Sequence, residues 1–256
     1  MITYLVNCKI NLGLHVVRKR PDGYHDLETV FVPSDFFTDT LSIEPYNGDY
    51  EFECLGHFDA GPDDDNLCVR AYRLLRERFG ISGVRIVLEK GIPTGAGLGG
   101  GSADAAFTLK GLANHFRLDI PTSEILKLAS QLGSDVPFFI LNTPAYATGR
   151  GEVLTPIKAS LSDYEIRIVK PDVSVSTREA YAGIQPHESS IRLDDVICNM
   201  PVSEWRNCIH NDFEMPVFAK HPELAKIKQD FYRQGALYAA MSGSGSAVFG
   251  IFPKES

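Results

Sequence analysis

The chain has 256 residues, of which 44% are hydrophobic and 23% are charged, a balance typical of folded globular proteins. This excludes a disordered or collagen-like chain, and the length allows one large domain or two modest ones. Lys and Arg number 25 against 33 Asp and Glu, a formal net charge of −8, so we expect neither a nucleic acid nor an anionic membrane as partner.

The number and spacing of the cysteines, together with the N-terminal segment, indicate the cellular compartment of the protein. The five cysteines are an odd number and contain no C-x-x-C pair, so we expect neither disulfides nor a zinc site. The basic residues Arg18-Lys19-Arg20 follow the first apolar stretch, the reverse of a secretory signal, and no apolar run is long enough to cross a bilayer. We therefore expect a cytoplasmic protein. We also expect it to be a monomer or a weak homodimer.

Apolar periodicity predicts the secondary structure in chain order. Alternation predicts strands at residues 3–17, Leu27–Val32, Thr40–Glu44, 84–89, Tyr164–Val169 and Ala247–Phe252. Apolar residues spaced three and four apart predict three helices. The first is Leu67–Phe79, and the second follows the glycine-rich segment, with Ala105, Leu109, Leu112 and Phe116 on one face. The third begins after an N-cap at Ser123. Gly80 and Gly133 are the expected helix stops.

A change in composition near Thr155-Pro156 predicts a domain boundary. The expected domains are residues 1–157, which hold the glycine-rich segment, and residues 158–256. Because strands and helices mix without regular βαβ spacing, an α+β fold is favoured over a doubly wound sheet.

The glycine-rich segment Pro93–Ala103 suits a polyphosphate ligand. Five glycines between positions 95 and 101 let several main-chain N–H groups point one way, and the following helix start adds partial positive charge. Three known glycine motifs do not fit this segment. No strand leads directly into G-x-G-x-x-G, Ser102 stands where a P-loop has lysine, and the V-A-I-K and H-R-D motifs of protein kinases are absent.

Three segments resemble the motifs of the GHMP kinases, the family of galactokinase, homoserine kinase and mevalonate kinase. Pro93–Ser102 (PTGAGLGGGS) resembles the P-x-x-x-G-L-G-x-x-S loop, while Lys9–Leu12 (KINL) and Met241–Ser246 (MSGSGS) resemble the two other motifs. Gly23-Tyr24-His25 and residues 133–139 (GSDVPFF) extend the resemblance over nearly the whole chain. It implies a two-domain α+β architecture, with an N-terminal domain like ribosomal protein S5, a ferredoxin-like C-terminal domain and the site in the cleft between them.

The resemblance implies an ATP-dependent kinase that phosphorylates a hydroxyl group of a small alcohol. Mg²⁺ would be bound mainly through the ATP phosphates. The family loop often has a second serine where this chain has Ala103, so a magnesium or phosphate role depends on Ser102 alone. The residues that the resemblance assigns to ATP are Pro93, Thr94, Gly95, Ala96, Gly97, Leu98, Gly99, Gly100, Gly101, Ser102, Ala103, Asn66 and Lys90.

Two residues are implied to be catalytic. Lys9 would offer positive charge to the transferring phosphoryl group or to the substrate hydroxyl. Asp135 would accept the proton of the acceptor hydroxyl or orient that hydroxyl, and the two roles stay open. From spacing alone, the solvated face of a strand is the better interpretation of Lys9, and an ordinary helix-start acid explains Asp135.

The substrate implied by the resemblance is a small molecule that carries a cytidine diphosphate group. Tyr24 and His25 would hold its cytosine by stacking and hydrogen bonding, with Tyr181 on the opposite face. An exposed turn aromatic and a core tyrosine are the competing interpretations. The other residues assigned to the substrate are Asn11, Ser242, Gly243, Ser244 and Gly245.

Two alternative functions stay open. A GHMP kinase for another alcohol, of the mevalonate or homoserine type, would have no base to stack on Tyr24-His25. A ligand sensor on the same fold would bind the ligand without transferring a phosphoryl group, and the presence of Lys9 and Asp135 argues against this alternative. The Asp63-Asp64-Asp65 triplet is explained by a solvated helix start, and we expect no metal site made of protein ligands.

Overall fold

The computed structural model describes residues 1–56, 58, 65–189 and 191–254. Its strands are β1 (Ile2–Lys19), β2 (His25–Pro45), β3 (Tyr50–Gly56), β4 (Val84–Lys90), β5 (Ala145–Thr148), β6 (Val153–Pro156), β7 (Tyr164–Val169), β8 (Tyr238–Met241) and β9 (Val248–Pro253). Its helices are α1 (Leu67–Phe79), α2 (Gly100–His115), α3 (Thr122–Leu132), α4 (Val136–Leu141), α5 (Thr177–Tyr181), α6 (Leu193–Asn199), α7 (Val202–Trp205), α8 (Glu214–Lys220) and α9 (Pro222–Arg233). Within these ranges no helix combines the length and the apolar character needed to span a membrane. Asp63 and Asp64 of the predicted acidic cluster lie outside the described residues.

The chain forms two compact units, each assembled from separate stretches of sequence. The first unit comprises Met1–Cys8, Phe37–Thr94 and Gly99–Asn142. The second unit comprises Lys9–Phe36, Gly95–Leu98 and Thr143–Ser256. Both β1 and β2 therefore contribute residues to each unit. This grouping does not test the predicted domains 1–157 and 158–256, which stay a prediction.

The first unit is built from a sheet and the helices α1 to α4. Residues 40–45 of β2 pair antiparallel with β4, and β4 pairs in parallel with β3. The helix α1 packs against α2, and α4 packs against α2 and α3. The side chain of Asn66 starts α1 by accepting the Cys68 amide at 2.8 Å, and Gly80 ends α1 in the left-handed conformation.

The second unit contains a small sheet extension and a separate three-stranded sheet. Residues 29–31 of β2 pair antiparallel with β5, which pairs antiparallel with β6. The separate sheet has the antiparallel order β7-β9-β8, and α9 packs on β8 and β9. Its core buries apolar side chains from β1, α8, α9, β8 and β9, among them Leu14, Val217, Phe231, Met241 and Val248.

Most predicted elements are confirmed, and the differences at helix ends have local causes. The helix α1 and the strand β7 have the predicted bounds. The prediction of Ser123 as an N-cap is wrong, because Pro121 takes that position and its carbonyl accepts the amides of Glu124 and Ile125. Phe116, predicted on a face of α2, is instead the C-cap of that helix.

The strands differ from prediction where polar residues interrupt the apolar pattern. The two predicted segments Leu27–Val32 and Thr40–Glu44 belong to one strand, β2. The strand β3 was not predicted. It lies at the edge of its sheet, and its Glu51 and Glu53 pair with Arg85 of β4 at 3.1 and 2.9 Å, so charge rather than apolar alternation marks one of its faces.

Candidate active site

The carbonyl groups of the glycine-rich loop are held by hydrogen bonds within the second unit. Gly97 O accepts from Lys9 Nζ at 2.8 Å and from Ser242 Oγ at 2.9 Å. Leu98 O accepts the Lys9 amide at 3.0 Å, and Ala96 O accepts a further amide at 3.1 Å. Because Ala96 and Leu98 are buried, this part of the loop is fixed to the packed unit.

The N–H groups of the same peptide units point the other way. The C=O and N–H of a trans peptide are antiparallel, so fixing the three carbonyls turns the amides of Gly97, Leu98 and Gly99 to the opposite side. None of these amides has an acceptor among the described residues. The helix α2 begins at Gly100, and the first amides of a helix have no intrahelical acceptor. Consecutive N–H groups from Gly97 to Ser102 are therefore available to an anion.

A row of buried side chains holds Lys9 beneath the loop. Lys9 Nζ donates to Asn11 Oδ1 at 2.5 Å, and Asn11 Nδ2 donates to Thr29 Oγ1 at 3.0 Å. Thr29 Oγ1 donates in turn to the Gly13 carbonyl at 2.5 Å. Lys9 Nζ also lies 5.1 Å from the centroid of the Phe31 ring. These contacts hold the ammonium group in one position, and they bring the predicted residues Lys9 and Asn11 together.

The Met241–Ser246 turn lies directly against the loop, and a buried asparagine holds the turn. Asn211 Nδ2 donates to Met241 O and to Gly243 O, both at 2.8 Å. Ser242 Oγ donates to Gly97 O, so the turn and the loop are joined. Neither Thr29 nor Asn211 was predicted as a site residue. Asn211 belongs to no sequence motif, and only its contact with the Met241–Ser246 turn identifies it as a site residue.

His25 and Tyr181 are brought into direct contact. Their rings stack with centroids 4.6 Å apart and planes 20° apart. A base between two rings needs planes roughly 7 Å apart, because each van der Waals contact takes about 3.5 Å. Burial and the charge of Lys19 lower the pKa of His25, which favours the neutral imidazole. Tyr24 is 57% exposed, with the Arg150 guanidinium 5.0 Å from its ring centroid.

A cavity of about 160 Å³ lies in the first unit. It is lined by Asp65, Asn66, Leu67, Lys90, Thr94, Gly101 and Asp104. The structure thus brings together Asn66, Lys90, Thr94 and Gly101, which the sequence assigned to one ligand. Asp104 lies one helical turn into α2 and was not predicted as a site residue. Its position in the sequence, directly after the glycine-rich loop, could have suggested it.

Lys90 lies between two buried carboxylates. Lys90 Nζ donates to Asp39 Oδ2 at 2.5 Å and to Asp104 Oδ2 at 2.7 Å. Asp39 Oδ1 also accepts the amides of Gly91 and Ile92 at 2.6 and 2.7 Å. Burial lowers the pKa of Lys90, but the two carboxylates together raise it above its usual range. Burial raises the pKa of Asp104 to about 8, so this cluster carries less negative charge than two ionised acids would.

Asp135 lies at the N-cap position of α4, in the first unit, and is half-buried. Its side chain makes no capping hydrogen bond to that helix, and Pro137 occupies the first turn as predicted. The carboxylate is therefore not used to start the helix it precedes.

Comparison with known proteins supplies a family. Residues 66–143 match the profile described as GHMP kinases N terminal domain, and residues 197–256 match GHMP kinases C terminal. A relative from Bacteroides fragilis (strain YCH46), named 4-diphosphocytidyl-2-C-methyl-D-erythritol kinase, is 49% identical over 100% of this chain and 93% of its own length. A relative of the same name from Parabacteroides distasonis is 50% identical over 97% of this chain and 90% of its own length.

A solved structure agrees with these relatives. The crystal structure of a 4-(cytidine 5'-diphospho)-2C-methyl-D-erythritol kinase matches with a TM-score of 0.80 and 35% identity, covering 98% of this chain and 90% of that one. The resemblance drawn from the sequence and the α+β fold that it implied are confirmed.

The close approach of Gly97 to Ser242 predicts the effect of a single methyl group. A Cβ at Gly97 would lie 2.0 Å from the Ser242 carbonyl oxygen, and Gly97 has a φ of +77°. Because backbone cannot yield as a side-chain tip does, we expect Gly97→Ala to displace the loop. A displacement of about 1 Å in a reacting group costs roughly 100-fold in rate, and we expect kcat/KM for ATP to fall by at least that factor.

Gly95→Ala is the matched control for this substitution. Gly95 also has a positive φ, +66°, but a Cβ there meets nothing within 4 Å. Only the left-handed backbone then costs energy, about 1–2 kcal/mol. Equal losses of kcat/KM in the two variants would contradict the importance of the contact with Ser242.

The Lys90 cluster predicts a stability loss that depends on pH. Lys90→Met leaves Asp39 and Asp104 buried without their cation, which costs about 3–5 kcal/mol in the free energy of unfolding. Without the cation, the pKa of Asp104 rises further, so Asp104 holds a proton in the folded state at pH values where the unfolded chain has lost it. The folded state therefore binds more protons, and stability falls as the pH rises. Urea midpoints at pH 6 and pH 8 measure both effects.

Lys110→Met serves as the control. Lys110 is partly buried, and its Nζ donates to the Phe139 carbonyl at 2.9 Å rather than to a carboxylate. We expect its loss of stability to be smaller and nearly equal at the two pH values. A Lys90→Met variant whose destabilisation is the same at pH 6 and pH 8 would exclude a charge imbalance as the cause.

Proposed function

The chain belongs to the GHMP kinase family, and from this premise we propose that it transfers the γ-phosphoryl group of ATP to the 2-hydroxyl of 4-diphosphocytidyl-2-C-methyl-D-erythritol. This is a step of isoprenoid precursor biosynthesis. The name shared by relatives about half identical over the whole chain supports the substrate. The geometry that carries the phosphoryl transfer is the run of amides from Gly97 to Ser102. We further expect a cytoplasmic protein, a monomer or a weak homodimer, with small-molecule partners alone.

The glycine-rich loop binds the phosphates of ATP in this proposal. The loop amides, which have no acceptor within the described part of the chain, and a helix N-terminus favour the negative charge of a triphosphate. No acidic residue lies in the first turn of α2 to oppose it. The full set assigned to ATP is residues 93–103 with Asn66 and Lys90. Because Lys90 is paired with two carboxylates, its part is to form the cavity wall rather than to neutralise phosphate.

Mg²⁺ is the ion implied by the family, and the loop offers few oxygen ligands for it. The Ser102 hydroxyl lies in the first turn of α2 and has no hydrogen-bond partner in the described ranges, so it is suited to be an oxygen ligand. The remaining ligands would be ATP phosphates and water. When bound, the ion neutralises charge on the phosphates as the γ-phosphoryl group leaves.

Lys9 and Asp135 carry the catalytic roles. Lys9 is held by Asn11 Oδ1 and Gly97 O, next to the amides that bind the phosphates, and supplies positive charge to the transferring group. Asp135 accepts a hydrogen bond from the acceptor hydroxyl and aims its oxygen at the γ-phosphorus. As the new P–O bond forms, the bond from the γ-phosphorus to the β-phosphate oxygen breaks, ADP leaves, and the hydroxyl proton passes either to the Asp135 carboxylate or to solvent. In a loose transition state this orientation matters more than the basicity of the carboxylate.

Tyr24, His25 and Tyr181 bind the cytosine. The 4.6 Å contact between His25 and Tyr181 leaves no space for a base, so the two rings must separate when the substrate enters. The neutral His25 ring then offers one donor and one acceptor to the base edge. Asn11 and the turn residues Ser242, Gly243, Ser244 and Gly245 complete the substrate contacts.

Release of ADP in a coupled assay tests the proposed reaction. We expect turnover with 4-diphosphocytidyl-2-C-methyl-D-erythritol and none above background with mevalonate or homoserine. Turnover with mevalonate alone would overturn the substrate while leaving the family in place. Binding of the cytidine substrate without ADP release would instead indicate a ligand sensor.

Asp135→Ala tests the role of the carboxylate. Loss of a positioned acid–base group costs typically 10²–10⁴-fold, so we expect a fall in kcat of about that size. The dissociation constant of a non-hydrolysable ATP analogue should stay within about threefold, since the loop is unchanged. Asp119→Ala, an exposed aspartate of the same unit, is the control and should keep its kcat. A loss confined to ATP affinity would contradict the assigned role.

His25→Ala tests the cytosine site. Removal of a ring that stacks on a base costs about 1–3 kcal/mol, or roughly 5- to 150-fold, and we expect KM for the cytidine substrate to rise by that factor. KM for ATP should not change. His115→Ala, which removes a histidine from the end of α2, should leave both constants as they are. An unchanged KM for the cytidine substrate in His25→Ala would remove this residue from the site.

A further inference from the structure

Three side chains capable of binding a metal converge in the second unit. His15, His210 and Asp212 each offer one ligand atom, and these atoms all lie within 4.8 Å of one another. Spacing in the sequence did not indicate this cluster, because nearly two hundred residues separate His15 from the other two. It lies outside the loop, the turn and the aromatic pair described above.

Main-chain pairing brings the three residues together. The segment around Asn211 pairs in parallel with β1 through a bridge between Leu14 and Asn211. The Leu14 amide donates to His210 O at 3.0 Å, and the Asp212 amide donates to Leu14 O at 2.9 Å. His210 and Asp212 are therefore held beside His15 by the backbone, before any ligand binds.

His15 is buried with both ring nitrogens unsatisfied. It is 1% exposed, and neither Nδ1 nor Nε2 has a hydrogen-bond partner among the described residues. Leaving a buried polar atom unpaired costs about 1–3 kcal/mol, so such a ring requires an explanation.

The carboxylate and a fourth side chain complete the arrangement. Asp212 Oδ2 accepts the Val16 amide at 2.8 Å, the kind of supporting bond that orients a metal ligand. His187 Nδ1 lies 3.8 Å from Asp212 Oδ2, and the His187 amide donates to Val16 O at 3.0 Å. Because the side chain of His187 is 53% exposed and His210 is also exposed, an ion can reach the buried ring from solvent.

We propose that His15, His210 and Asp212 bind one divalent transition-metal ion, with Zn²⁺ as the natural occupant and His187 or water as the fourth ligand. Imidazole nitrogens select zinc over magnesium, which prefers oxygen alone. Tetrahedral bonds of about 2.0–2.1 Å place ligand atoms roughly 3.3 Å apart, so the cluster must contract by about 1.5 Å at most. Rotation of the exposed His210 ring supplies this movement.

The position of the site gives the ion a structural role. Asn211 lies between two of the ligands, and its side chain holds the Met241 and Gly243 carbonyls. An ion that clamps His210 and Asp212 to β1 therefore also fixes Asn211 and the turn that it supports. We expect zinc to raise the melting temperature of the protein, because it binds the folded chain and not the unfolded one.

Zinc titration of the untagged full chain, freed of metal by a chelator, tests the site. We expect calorimetry to give one bound Zn²⁺, a higher melting temperature with Zn²⁺, and no heat at the site with Mg²⁺ in its place. His15→Gln and His210→Ala should each weaken zinc binding by more than roughly 10-fold, as ligand losses do. If His15→Gln does not fold, the exposed His210→Ala decides the question.

Two controls separate this site from casual zinc binding. His115→Ala removes a histidine from the first unit, and Cys198→Ala removes an exposed thiol, the strongest competing ligand type. Both should bind zinc as the unaltered chain does. Absence of zinc binding, equal affinity in His210→Ala, or loss of binding in Cys198→Ala would overturn the proposal.

Discussion

The conformation of the glycine-rich loop depends on how a single carbonyl oxygen, that of Gly97, is held. Two buried side chains, from Lys9 and Ser242, donate to it, and the Ala96 and Leu98 carbonyls on either side each accept a main-chain amide. Because each peptide is planar, these bonds also aim the N–H groups away from the packed unit. The same contact brings the Ser242 backbone so close that position 97 has no space for a Cβ. The direction of the loop N–H groups, the position of Lys9 and the need for glycine at position 97 thus have one cause.

Buried polar groups in the two units are compensated to different degrees. In the first unit, Lys90 donates to one oxygen each of Asp39 and Asp104, and the raised pKa of Asp104 lowers the negative charge of the cluster, which serves as a wall. In the second unit, His15 has no hydrogen bond at either nitrogen within the described residues. Desolvation penalises both arrangements. In the first, each charged group has an ion-pair partner, although Asp104 Oδ1 accepts no hydrogen bond; in the second, the His15 ring has no hydrogen-bond partner among the described residues. This difference is why a metal ion is inferred at His15 and not at Lys90.

Site residues that belong to a local pattern were predictable, and those that act across the fold were not. Lys9 and Asn11 lie on one face of a strand because side chains alternate, and the high local glycine content marks the loop. Thr29, Asp39 and Asn211 are ordinary polar residues in sequence. Each becomes a site residue through one contact with a distant segment: Thr29 with Asn11, Asp39 with Lys90, and Asn211 with the Met241–Ser246 turn. Nothing in local composition encodes such a contact.

The sequence by itself determined the family, the place of the glycine-rich loop and those strands and helices that have a clear apolar period, including α1 from its first to its last residue. These features depend on patterns and interactions among residues that are close in the sequence, namely side-chain periodicity, helix caps and turn residues. Only the tertiary structure decided which groups hold the loop carbonyls, that Lys90 is paired with two acids, that the His25 and Tyr181 rings stack, and that His15, His210 and Asp212 meet beside Leu14. Those outcomes require segments far apart in the chain to pack together, because hydrogen bonds and ion pairs form only where folding has closed the distance between them.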